Sequence, residues 1–308
     1  IQKCIQIFEK ISSHEKVNGQ HYKSTAYNKA ITQLKTLEDD SELTPDNLIK
    51  CDGIGKSILE KIMNIVSTGT CPQYENIKDF KDPKEIFMGI HKVGPVKAKQ
   101  LAGIGFKTIE DIKNYKTIDK YLNETQLKGL KYYDDIQKKI PYNEMAKHEK
   151  YLKKILADID PTAELTVTGS YRRGKRVSGD IDVLIKSPSV KNTSIYEAFL
   201  DKLNESYMIE TLSRGKKKFM GICLISKICR RIDVMFTKPE EYPFAILYFT
   251  GSKDFNVKMR TELLEKGLSL NEYGITETEN KKKVKHDCKT EKDVFKYLGY
   301  DYVEPTDR

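Results

Sequence analysis

Apolar positions recur with two different periods along this chain of 308 residues. Up to Pro141 they return every three to four positions, and this spacing predicts helices. The clearest of these helices are predicted over residues 1–11, 27–37 and 58–66.

Beyond Pro141 apolar residues alternate with polar ones or run together, and many of them are β-branched. This pattern predicts strands. The predicted strands are 165–168, 181–185, 220–225 and 232–236, and a helix is predicted over 194–204. A helical first half therefore precedes a mixed α and β second half, with the boundary at the proline.

Charge is distributed unevenly around a formal net charge of +9. Residues 76–140 carry 14 basic and 9 acidic side chains and residues 141–239 carry 19 and 12, whereas residues 1–75 carry 9 and 10 and residues 240–308 carry 12 and 14. A basic middle suits an anionic polymer such as nucleic acid. A lysine-rich solvated surface is the alternative, and composition alone favours it.

The six cysteines form no C-x-x-C pair, which argues against a zinc site and favours a reducing compartment. No apolar run is long enough to span a bilayer and no signal peptide is recognised. We therefore expect no membrane partner.

Three carboxylates lie within or beside the predicted strands. Asp180 and Asp182 are two positions apart in SGDIDVLI, and Asp233 lies in IDVMF. Residues two apart on a strand share a face, and acidic groups among apolar neighbours are costly unless a positive charge lies between them. Oxygen ligands on rigid strands suit Mg²⁺, and two such ions stabilise both oxygens of a phosphoryl displacement. By themselves the residues leave open whether these are metal ligands or solvated strand ends.

Two short glycine motifs each precede an apolar helix pattern, DGIGK at 52–56 and HKVGP at 91–95. Glycine permits a tight turn close to a phosphate, and the free N–H groups of the next helix attract an anion. One such motif is better explained by a structural turn. Two copies favour paired helix-hairpin-helix motifs that bind a nucleic-acid backbone without reading bases.

Six segments form an ordered set: AYNKAI (26–31), GIGKSILEKI (53–62), GSYRRG (169–174), SGDIDVLI (178–185), RRIDVMF (230–236) and YFTGSKDFNVKMR (248–260). In this order they resemble the family X DNA polymerases of the beta and lambda type, over nearly the whole chain.

The resemblance implies a multidomain fold, with an all-α helix-hairpin-helix N-terminal half, an α+β nucleotidyltransferase palm and a small α+β C-terminal subdomain. The implied order is a lyase domain with the first hairpin, a DNA-binding subdomain with the second, the palm, and a subdomain that binds the nascent base pair. Their expected bounds are 1–75, 76–140, 141–239 and 240–308. The last three are expected to be thumb-, palm- and finger-like, in that order.

The resemblance also implies a polymerase site. Asp180 and Asp182 would bridge two metal ions, and Asp233 would complete the catalytic metal site beside the primer 3′-hydroxyl. Arg231 would neutralise Asp233 or hold the primer terminus, with an ordinary salt bridge as the alternative. The residues expected to contact the dNTP are Ser170, Arg173, Gly179, Tyr248, Phe249, Gly251 and Asn256, and Arg260 is expected on the template strand.

Lys61 matches the Schiff-base lysine of the family's lyase domain. On the helix 58–66 it falls at the edge of the apolar arc, where partial burial makes an amine a better nucleophile. Most lysines at such an edge only keep their ammonium in water, so the resemblance is what favours catalysis. Further DNA-binding roles are implied for Gly53, Gly55, Lys56 and Gly94, and for Lys23 and Tyr27 near a 5′-phosphate pocket.

The expected function is a template-dependent DNA polymerase that fills short gaps in base excision repair and removes a 5′-deoxyribose phosphate. Two Mg²⁺ ions are the expected cofactors, with Mn²⁺ as the alternative, and monovalent cations are expected at the hairpin turns. The expected partners are gapped or nicked double-stranded DNA, dNTPs and repair proteins, and the protein is expected to be a monomer. The expected compartment is the nucleus of a eukaryote, with an organellar or virus-encoded protein as the alternative.

Two other functions stay open, a template-independent or RNA-type nucleotidyltransferase and a non-catalytic DNA-binding scaffold. The short connection at 224–230 favours template dependence, since template-independent relatives carry a long loop there. The intact carboxylates argue against a scaffold. The run KKKVK at 281–285 resembles a nuclear-localisation patch, although a solvated loop is the preferred explanation.

Four positions depart from the family pattern. Tyr142 replaces an arginine that contacts the triphosphate, and Ser57 replaces a phosphate-pocket lysine, for which Lys56 is the expected substitute. Lys253 replaces an aspartate near the incoming base and is expected to strengthen nucleotide binding. Met235 replaces an arginine that holds a metal-binding aspartate in the open state, so opening and closing are expected to be less tightly coupled.

Overall fold

The computed structural model describes residues 1–187, 192–225 and 227–308. They divide into two units, one formed by Ile1–Met88 with Val93–Tyr115 and the other by Gly89–Lys92 with Lys116–Arg308. The predicted subdomain bounds stay a prediction.

The first unit is built from helices. They are α1 (Gln2–Val17), α2 (His21–Leu34), α3 (Pro45–Leu48), α4 (Lys56–Thr68), α5 (Pro72–Glu75), α6 (Pro83–Met88), α7 (Pro95–Ile104) and α8 (Ile109–Lys113), with a 3₁₀ turn at Asp40–Glu42.

The core of the first unit forms where α1, α2 and α4 meet. Phe8, Ile11, Leu34 and Ile62 are completely buried there, as their helical spacing predicts. The three predicted helices are confirmed, although α2 already ends at Leu34 because the backbone closes into a turn over the next two residues.

The second unit combines helices with sheets. Its helices are α9 (Glu124–Lys131), α10 (Tyr133–Ile136), α11 (Tyr142–Ile159), α12 (Gly169–Arg172), α13 (Asn192–Ser206), α14 (Tyr242–Thr250), α15 (Lys253–Glu265) and α16 (Glu291–Leu298), with 3₁₀ turns at Ile118–Lys120 and Pro305–Asp307. Its strands are β1 (Ile140–Pro141), β2 (Glu164–Val167), β3 (Val177–Ser178), β4 (Ile181–Lys186), β5 (Met208–Arg214), β6 (Lys218–Cys223), β7 (Arg230–Thr237), β8 (Leu268–Asn271) and β9 (Gly274–Glu277).

A five-stranded sheet in the order β2-β4-β7-β6-β5 forms the centre of the second unit. β4 and β7 are parallel and the other pairs are antiparallel. The helices α11 and α13 cover one face, where their apolar residues share a core with β2, β4 and β7. Short β1–β3 and β8–β9 pairs complete the strands of the described residues.

The helix α14 is apolar on all sides, and other elements cover two of these sides. Ala245 and Ile246 pack on Leu184 and Met235 of the sheet. Phe244 belongs to the C-terminal cluster formed with α15, α16 and the β8–β9 hairpin. This one helix therefore joins the sheet to the C-terminal part of the second unit.

The predicted fold class, a helical first half followed by α+β structure, is confirmed. The strand predicted at 220–225 is shifted, since β6 ends at Cys223 and the next two apolar residues are partly exposed. β5 was not predicted, because its side chains show little alternation between buried and exposed positions. No helix of the described residues is long and apolar enough to span a bilayer.

Candidate active site

Two neighbouring strands carry the central carboxylates. β4 and β7 are parallel, and Asp182 lies opposite Asp233 in their register. Ile181 and Ile232 precede them on the two strands and are completely buried, which holds this register. Asp180 directly precedes β4. The sheet thus presents two carboxylates side by side, with the third at the strand end.

The carboxylate of Asp182 lies against the backbone of Gly169, the first residue of α12. Gly169 has a φ of +60°, and a Cβ atom there would overlap Asp182 Oδ2, so only glycine suits this position. Burial raises the pKa of Asp182 well above its ordinary value, and the charges of Asp180 and Asp233 add to this effect. Positive charge at this point would stabilise the ionised form.

A guanidinium provides some of that charge. Arg231 forms an ion pair with Asp180, and its Nε lies 3.9 Å from Asp233 Oδ1. Burial raises the pKa of Asp233, and Arg231 opposes that effect. Arg231 therefore neutralises Asp180 by direct contact, in addition to the neighbouring carboxylate for which this role was expected.

The three carboxylates fit a divalent ion in part. Asp233 Oδ1 is buried and has no hydrogen-bond partner in the described part of the chain, and carboxylate oxygens are the ligands that Mg²⁺ prefers. However, no three His, Cys, Asp or Glu side chains of the described residues are close enough together to hold one ion. Asp180, the third carboxylate, is paired with Arg231 instead.

A cleft of about 520 Å³ opens beside these carboxylates, between α12, the end of α14 and α15. Most residues predicted to bind a nucleotide line it. The lining residues are Gly169, Ser170, Arg173, Asp180, Asp182, Tyr248, Phe249, Gly251, Lys253, Asn256, Val257 and Arg260. Gly179 and Asp233 do not line the cleft. Gly179 directly precedes Asp180 in the sequence, and Asp233 lies opposite Asp182 on the neighbouring strand.

Arg173 is held by the end of α14. One of its Nη atoms donates to the carbonyl oxygen of Thr250, whereas its Nε is buried and has no partner among the residues described. Burial lowers the pKa of this guanidinium, and Asp182 opposes the effect. A desolvated donor beside an open cleft is well suited to phosphate oxygens.

A hydrogen bond joins the aromatic pair at the end of α14, Tyr248 and Phe249, to the next helix, α15. Asn256 Nδ2 donates to the carbonyl oxygen of Tyr248 at 2.7 Å, and the rings of Tyr248 and Phe249 lie 5.2 Å apart. Lys218 of β6 lies 5.6 Å from the Phe249 ring, and its charge opposes the raised pKa of Asp182. Lys218 was not predicted, because a lysine within a run of lysines carries no specific signal.

A second missed feature is a buried cluster of charges behind the cleft. Glu291 Oε2 accepts from Arg172 at 2.8 Å and Oε1 accepts from Arg308 at 2.6 Å. The side chain of Glu291 is 6% exposed and that of Arg308 is 0% exposed. Arg172 also donates to the hydroxyl of Thr250, whose carbonyl oxygen holds Arg173. The arginine doublet of GSYRRG was visible in the sequence, but its partner is 119 residues away.

Three of the residues that differ from the family pattern lie in different environments. The ring of Tyr142 lies 4.7 Å from that of Tyr171 and is about half exposed. Met235 is buried in the apolar layer beneath α14. Lys253 is exposed at the start of α15 and lines the cleft.

The predicted lyase lysine lies in the first unit. Lys61 is half-buried on α4, and its Nζ donates to Ser57 Oγ at 2.7 Å and to the Ser57 carbonyl oxygen at 3.2 Å. Ser57 is therefore a partner of the proposed nucleophile, one helical turn before it.

Lys23 and Tyr27 belong to a chain of polar contacts between α1, α2 and α5. The Tyr27 hydroxyl donates to Gln73 Oε1 at 2.6 Å, and Gln73 donates to Glu15 at 2.8 Å. Lys23 Nζ lies 3.9 Å from the same carboxylate. Burial raises the pKa of Tyr27 to about 12, and Glu15 adds to this effect. The hydroxyl and the ammonium expected to meet a phosphate thus already have protein partners.

The first hairpin borders a cleft of about 820 Å³. Gly53 has a φ of +81°, and a Cβ there would lie 2.8 Å from Lys29 Cβ. Gly55 is the N-cap of α4 and Lys56 its first residue, so the hairpin and helix adjoin as predicted. The second predicted hairpin glycine, Gly94, is likewise the N-cap of α7.

Two further predictions concern exposed segments. The connection at 224–230 includes Ser226, which lies outside the described residues, so its effect on template dependence stays a prediction. In the KKKVK run the lysines are exposed, and Lys283 forms a β-bridge with Thr276.

Four family models match the chain. They are described as a helix-hairpin-helix domain (residues 2–71), the fingers domain of DNA polymerase lambda (85–137), the DNA polymerase beta palm (139–239) and the DNA polymerase beta thumb (245–308). The expected thumb-like and finger-like names are thus in the wrong order, since the fingers model precedes the palm and the thumb model follows it.

Curated relatives match most of the chain. DNA polymerase lambda of Rattus norvegicus is 31% identical over 310 residues, covering 95% of this chain and 53% of that protein. DNA polymerase lambda of Arabidopsis thaliana is 29% identical over 330 residues, covering 98% and 61%. DNA nucleotidylexotransferase of Xenopus laevis is 28% identical over 293 residues, covering 82% and 57%. The chain therefore spans about half to three-fifths of the length of these relatives.

Proposed function

Because the chain belongs to the family X DNA polymerases of the beta and lambda type, we propose that it is a template-dependent DNA polymerase that fills short gaps in base excision repair. The cleft carries this proposal, because it brings Ser170, Arg173 and Asn256 together beside Asp180 and Asp182. Donors for a triphosphate and ligands for a cation thus adjoin one another.

In the proposed reaction the primer 3′-hydroxyl attacks the α-phosphorus of a dNTP, one P–O bond forms and pyrophosphate leaves. Asp180, Asp182 and Asp233 would hold two Mg²⁺ or Mn²⁺ ions, which when bound stabilise the attacking and leaving oxygens. The unpaired Nε of Arg173 and the hydroxyl of Ser170 would donate to triphosphate oxygens. Arg231 would leave Asp180 and turn to the primer terminus.

The aromatic turn would select the sugar and the base. Tyr248 and Phe249 would exclude a 2′-hydroxyl by shape, with Gly251 leaving room for the nucleotide. Asn256 would exchange its bond to the Tyr248 carbonyl for the minor-groove edge of the incoming base. Arg260, on the same helix face four positions later, would contact the template strand.

We further propose a 5′-deoxyribose-phosphate lyase activity at Lys61. Its amine would attack C1′ of the abasic sugar, and water would leave as the Schiff base forms. Loss of a C2′ proton would then break the C3′–O bond and release the DNA with a 5′-phosphate, and hydrolysis of the Schiff base would free both the deoxyribose phosphate and Lys61. Half-burial and the contact with Ser57 support this role, since both hold the amine in place on α4. Lys23 and Tyr27 would bind the 5′-phosphate only by giving up Glu15 and Gln73.

The proposed partners are gapped or nicked DNA, dNTPs and other repair proteins, and the proposed state is a monomer. Gly53, Gly55, Lys56 and Gly94 would bind DNA backbone at the hairpins, with monovalent cations at the turns. The nucleus is the proposed compartment, in line with the eukaryotic sources of the relatives.

Two substitutions test the two sites separately. Asp233→Ala is expected to abolish nucleotide addition on a one-nucleotide gap and to leave borohydride trapping of a 5′-abasic end intact. Lys61→Ala is expected to abolish trapping and to leave nucleotide addition. The matched controls are Asp201→Ala and Lys35→Ala, which remove exposed side chains of the same chemistry. Full trapping by Lys61→Ala would reject the lyase assignment, and nucleotide addition by Asp233→Ala would reject the polymerase site.

Template-independent addition is the second candidate, favoured by the similarity to a DNA nucleotidylexotransferase. Extension of the same primer with and without a template strand separates the two candidates. We expect incorporation only opposite a template. Equal extension of single-stranded primer would instead assign the protein to the template-independent class.

A further inference from the structure

The first two residues of β7, Arg230 and Arg231, extend past the strand beside them. In the described part of the chain, β4 pairs with β7 only from Ile232 onwards, whereas β6 pairs with β7 from Arg230. On the side of β4 this strand end therefore has no ladder partner among the described residues. Because only one neighbouring strand holds it, side chains from outside the sheet have to fix its position.

Arg230 provides the main anchor of this strand end. Its side chain is 3% exposed and bonds to Glu144 through two donors, Nε to Oε1 at 2.8 Å and Nη2 to Oε2 at 3.0 Å. A third donor, Nη1, bonds to the carbonyl oxygen of Lys138 at 2.9 Å. Directly before Arg230, the backbone N–H of Cys229 donates to Asp135 Oδ2 at 3.1 Å. Two carboxylates and one carbonyl group thus hold the start of β7.

The two arginines point to opposite faces of the sheet, because successive side chains of a strand alternate between its faces. Arg230 points to the side of α11, whose first turn carries Glu144. Arg231 points to the other side, where it forms the ion pair with Asp180. A displacement of Arg230 is therefore passed to Arg231 through the backbone that joins them.

The surroundings of Glu144 reserve its charge for Arg230. The hydrogen bonds from Arg230 lower the pKa of Glu144, which keeps the carboxylate ionised. Nε2 of His148, one turn later on α11, lies 3.7 Å from Glu144 Oε1, and Nδ1 of the same ring lies 2.6 Å from the Tyr207 hydroxyl. Burial lowers the pKa of His148 to about 4, so this imidazole is uncharged near pH 7 and does not compete with Arg230.

We propose that Glu144 is a positioning residue of the polymerase site, which acts through Arg230 to fix Arg231 where it meets the primer terminus. The inference rests on the proposed function, because it needs a primer beside Arg231. Arg231 does not line the cleft in which the dNTP is proposed to bind. Loss of Glu144 is therefore expected to slow nucleotide addition without weakening dNTP binding.

Glu144→Gln tests this proposal in single-turnover filling of a one-nucleotide gap at several dNTP concentrations. The maximal rate is expected to fall about tenfold, since small displacements at a reacting centre are costly, while the dNTP concentration at half-maximal rate stays within about twofold. In an Arg231→Met background the same substitution is expected to change the rate less than about twofold, because residues that act through one contact are not additive.

The matched control is Glu210→Gln on β5 of the same sheet. Glu210 loses an ion pair with Lys128, whose Nζ lies 3.2 Å away, and neither residue touches β7 in the described ion pairs. We expect the rate to stay within about twofold in both backgrounds.

Thermal unfolding separates positioning from stability. Glu144→Gln leaves Arg230 buried without its counter-charge, so the melting temperature is expected to fall. Combining it with Arg230→Met removes both charges, and we expect much of the melting temperature to return while the rate stays low, because the anchor is still missing. A rate that recovers together with the melting temperature would overturn the proposal. So would an undiminished effect of Glu144→Gln in the Arg231→Met background.

Gap filling by the wild type is measured alongside these variants. Failure there would reject the proposed function. An active wild type with an unaffected Glu144→Gln would reject this inference alone.

Discussion

Removal of the Glu291 carboxylate tests how the charge cluster behind the cleft is held together. Glu291 accepts hydrogen bonds from two arginines, Arg172 and Arg308, and the second of these is completely buried. In Glu291→Ala both cations lose their counter-charge while Arg308 stays inside the protein. Removing one partner of a buried pair costs about 3–5 kcal/mol, since the remaining charge is uncompensated.

Other contacts of Arg308 limit this loss. Its Nε donates to the carbonyl oxygen of Val303 at 2.9 Å, and its guanidinium lies 5.0 Å from the Phe295 ring and 5.5 Å from the Tyr302 ring. These contacts persist in the variant, so we expect the lower end of the range, about 3 kcal/mol. For a unit of this size that corresponds to a decrease in melting temperature of about 6–12 °C.

The assay is thermal unfolding followed by circular dichroism, with Glu304→Ala as the matched control. Glu304 lies 3.9 Å from Lys292 and both are mostly exposed, so its loss is expected to cost less than about 1 kcal/mol. Because Arg172 also holds Thr250, Glu291→Ala is expected to raise KM for the dNTP more than it lowers kcat. If Glu291→Ala is no less stable than Glu304→Ala, the reasoning from burial is refuted.

Three further predictions test other parts of the second unit. Gly169→Ala is expected to lower the single-turnover gap-filling rate at least about 100-fold and to destabilise the fold by about 1–2 kcal/mol, because its Cβ overlaps Asp182 at a positive φ. Lys253→Asp is expected to raise KM for the dNTP about three- to tenfold and to weaken its salt dependence, and an unchanged KM would reject the assigned role. Burial lowers the pKa of His148 to about 4, below the ordinary 6.5, so the unfolded chain binds the additional proton between these values. The contribution of His148 to stability is therefore fully present above pH 6.5 and decreases as the pH falls toward 4. The free energy of unfolding, measured with urea at several pH values, is expected to depend less on pH in His148→Gln, with a slope lower by about 1.4 kcal/mol per pH unit.

The sheet that positions the site was largely predictable, for a physical reason. Apolar residues run together over 183–185 and 234–236 because both faces of the sheet are buried there, and that burial also sets the register that brings Asp182 opposite Asp233. A shift of either strand by one position would turn its carboxylate to the opposite face of the sheet. The same pattern fails for β5, whose contacts leave most side chains half-exposed and therefore impose no alternation.

The partners of long charged side chains were not predictable. Asp180 pairs with Arg231, 51 positions away, and Glu291 pairs with Arg172 across 119 positions. Such pairs depend on the tertiary fold, and neither apolar periodicity nor local spacing records them. The contact between Lys61 and Ser57 is different in kind, because a spacing of four on a helix makes it a local one.

The position of Glu15 bears on how residues 1–75, which are nearly neutral, could bind DNA. Residues 1–75 carry 9 basic and 10 acidic side chains, and these counts do not show where the acidic groups lie. Glu15 is buried among the groups expected to bind a 5′-phosphate, since it accepts from Gln73 and lies 3.9 Å from Lys23. A phosphate entering beside Tyr27 would meet that carboxylate as a like charge. We therefore expect the exposed Lys29 and Lys56 of the hairpin cleft to provide the attraction of residues 1–75 to DNA.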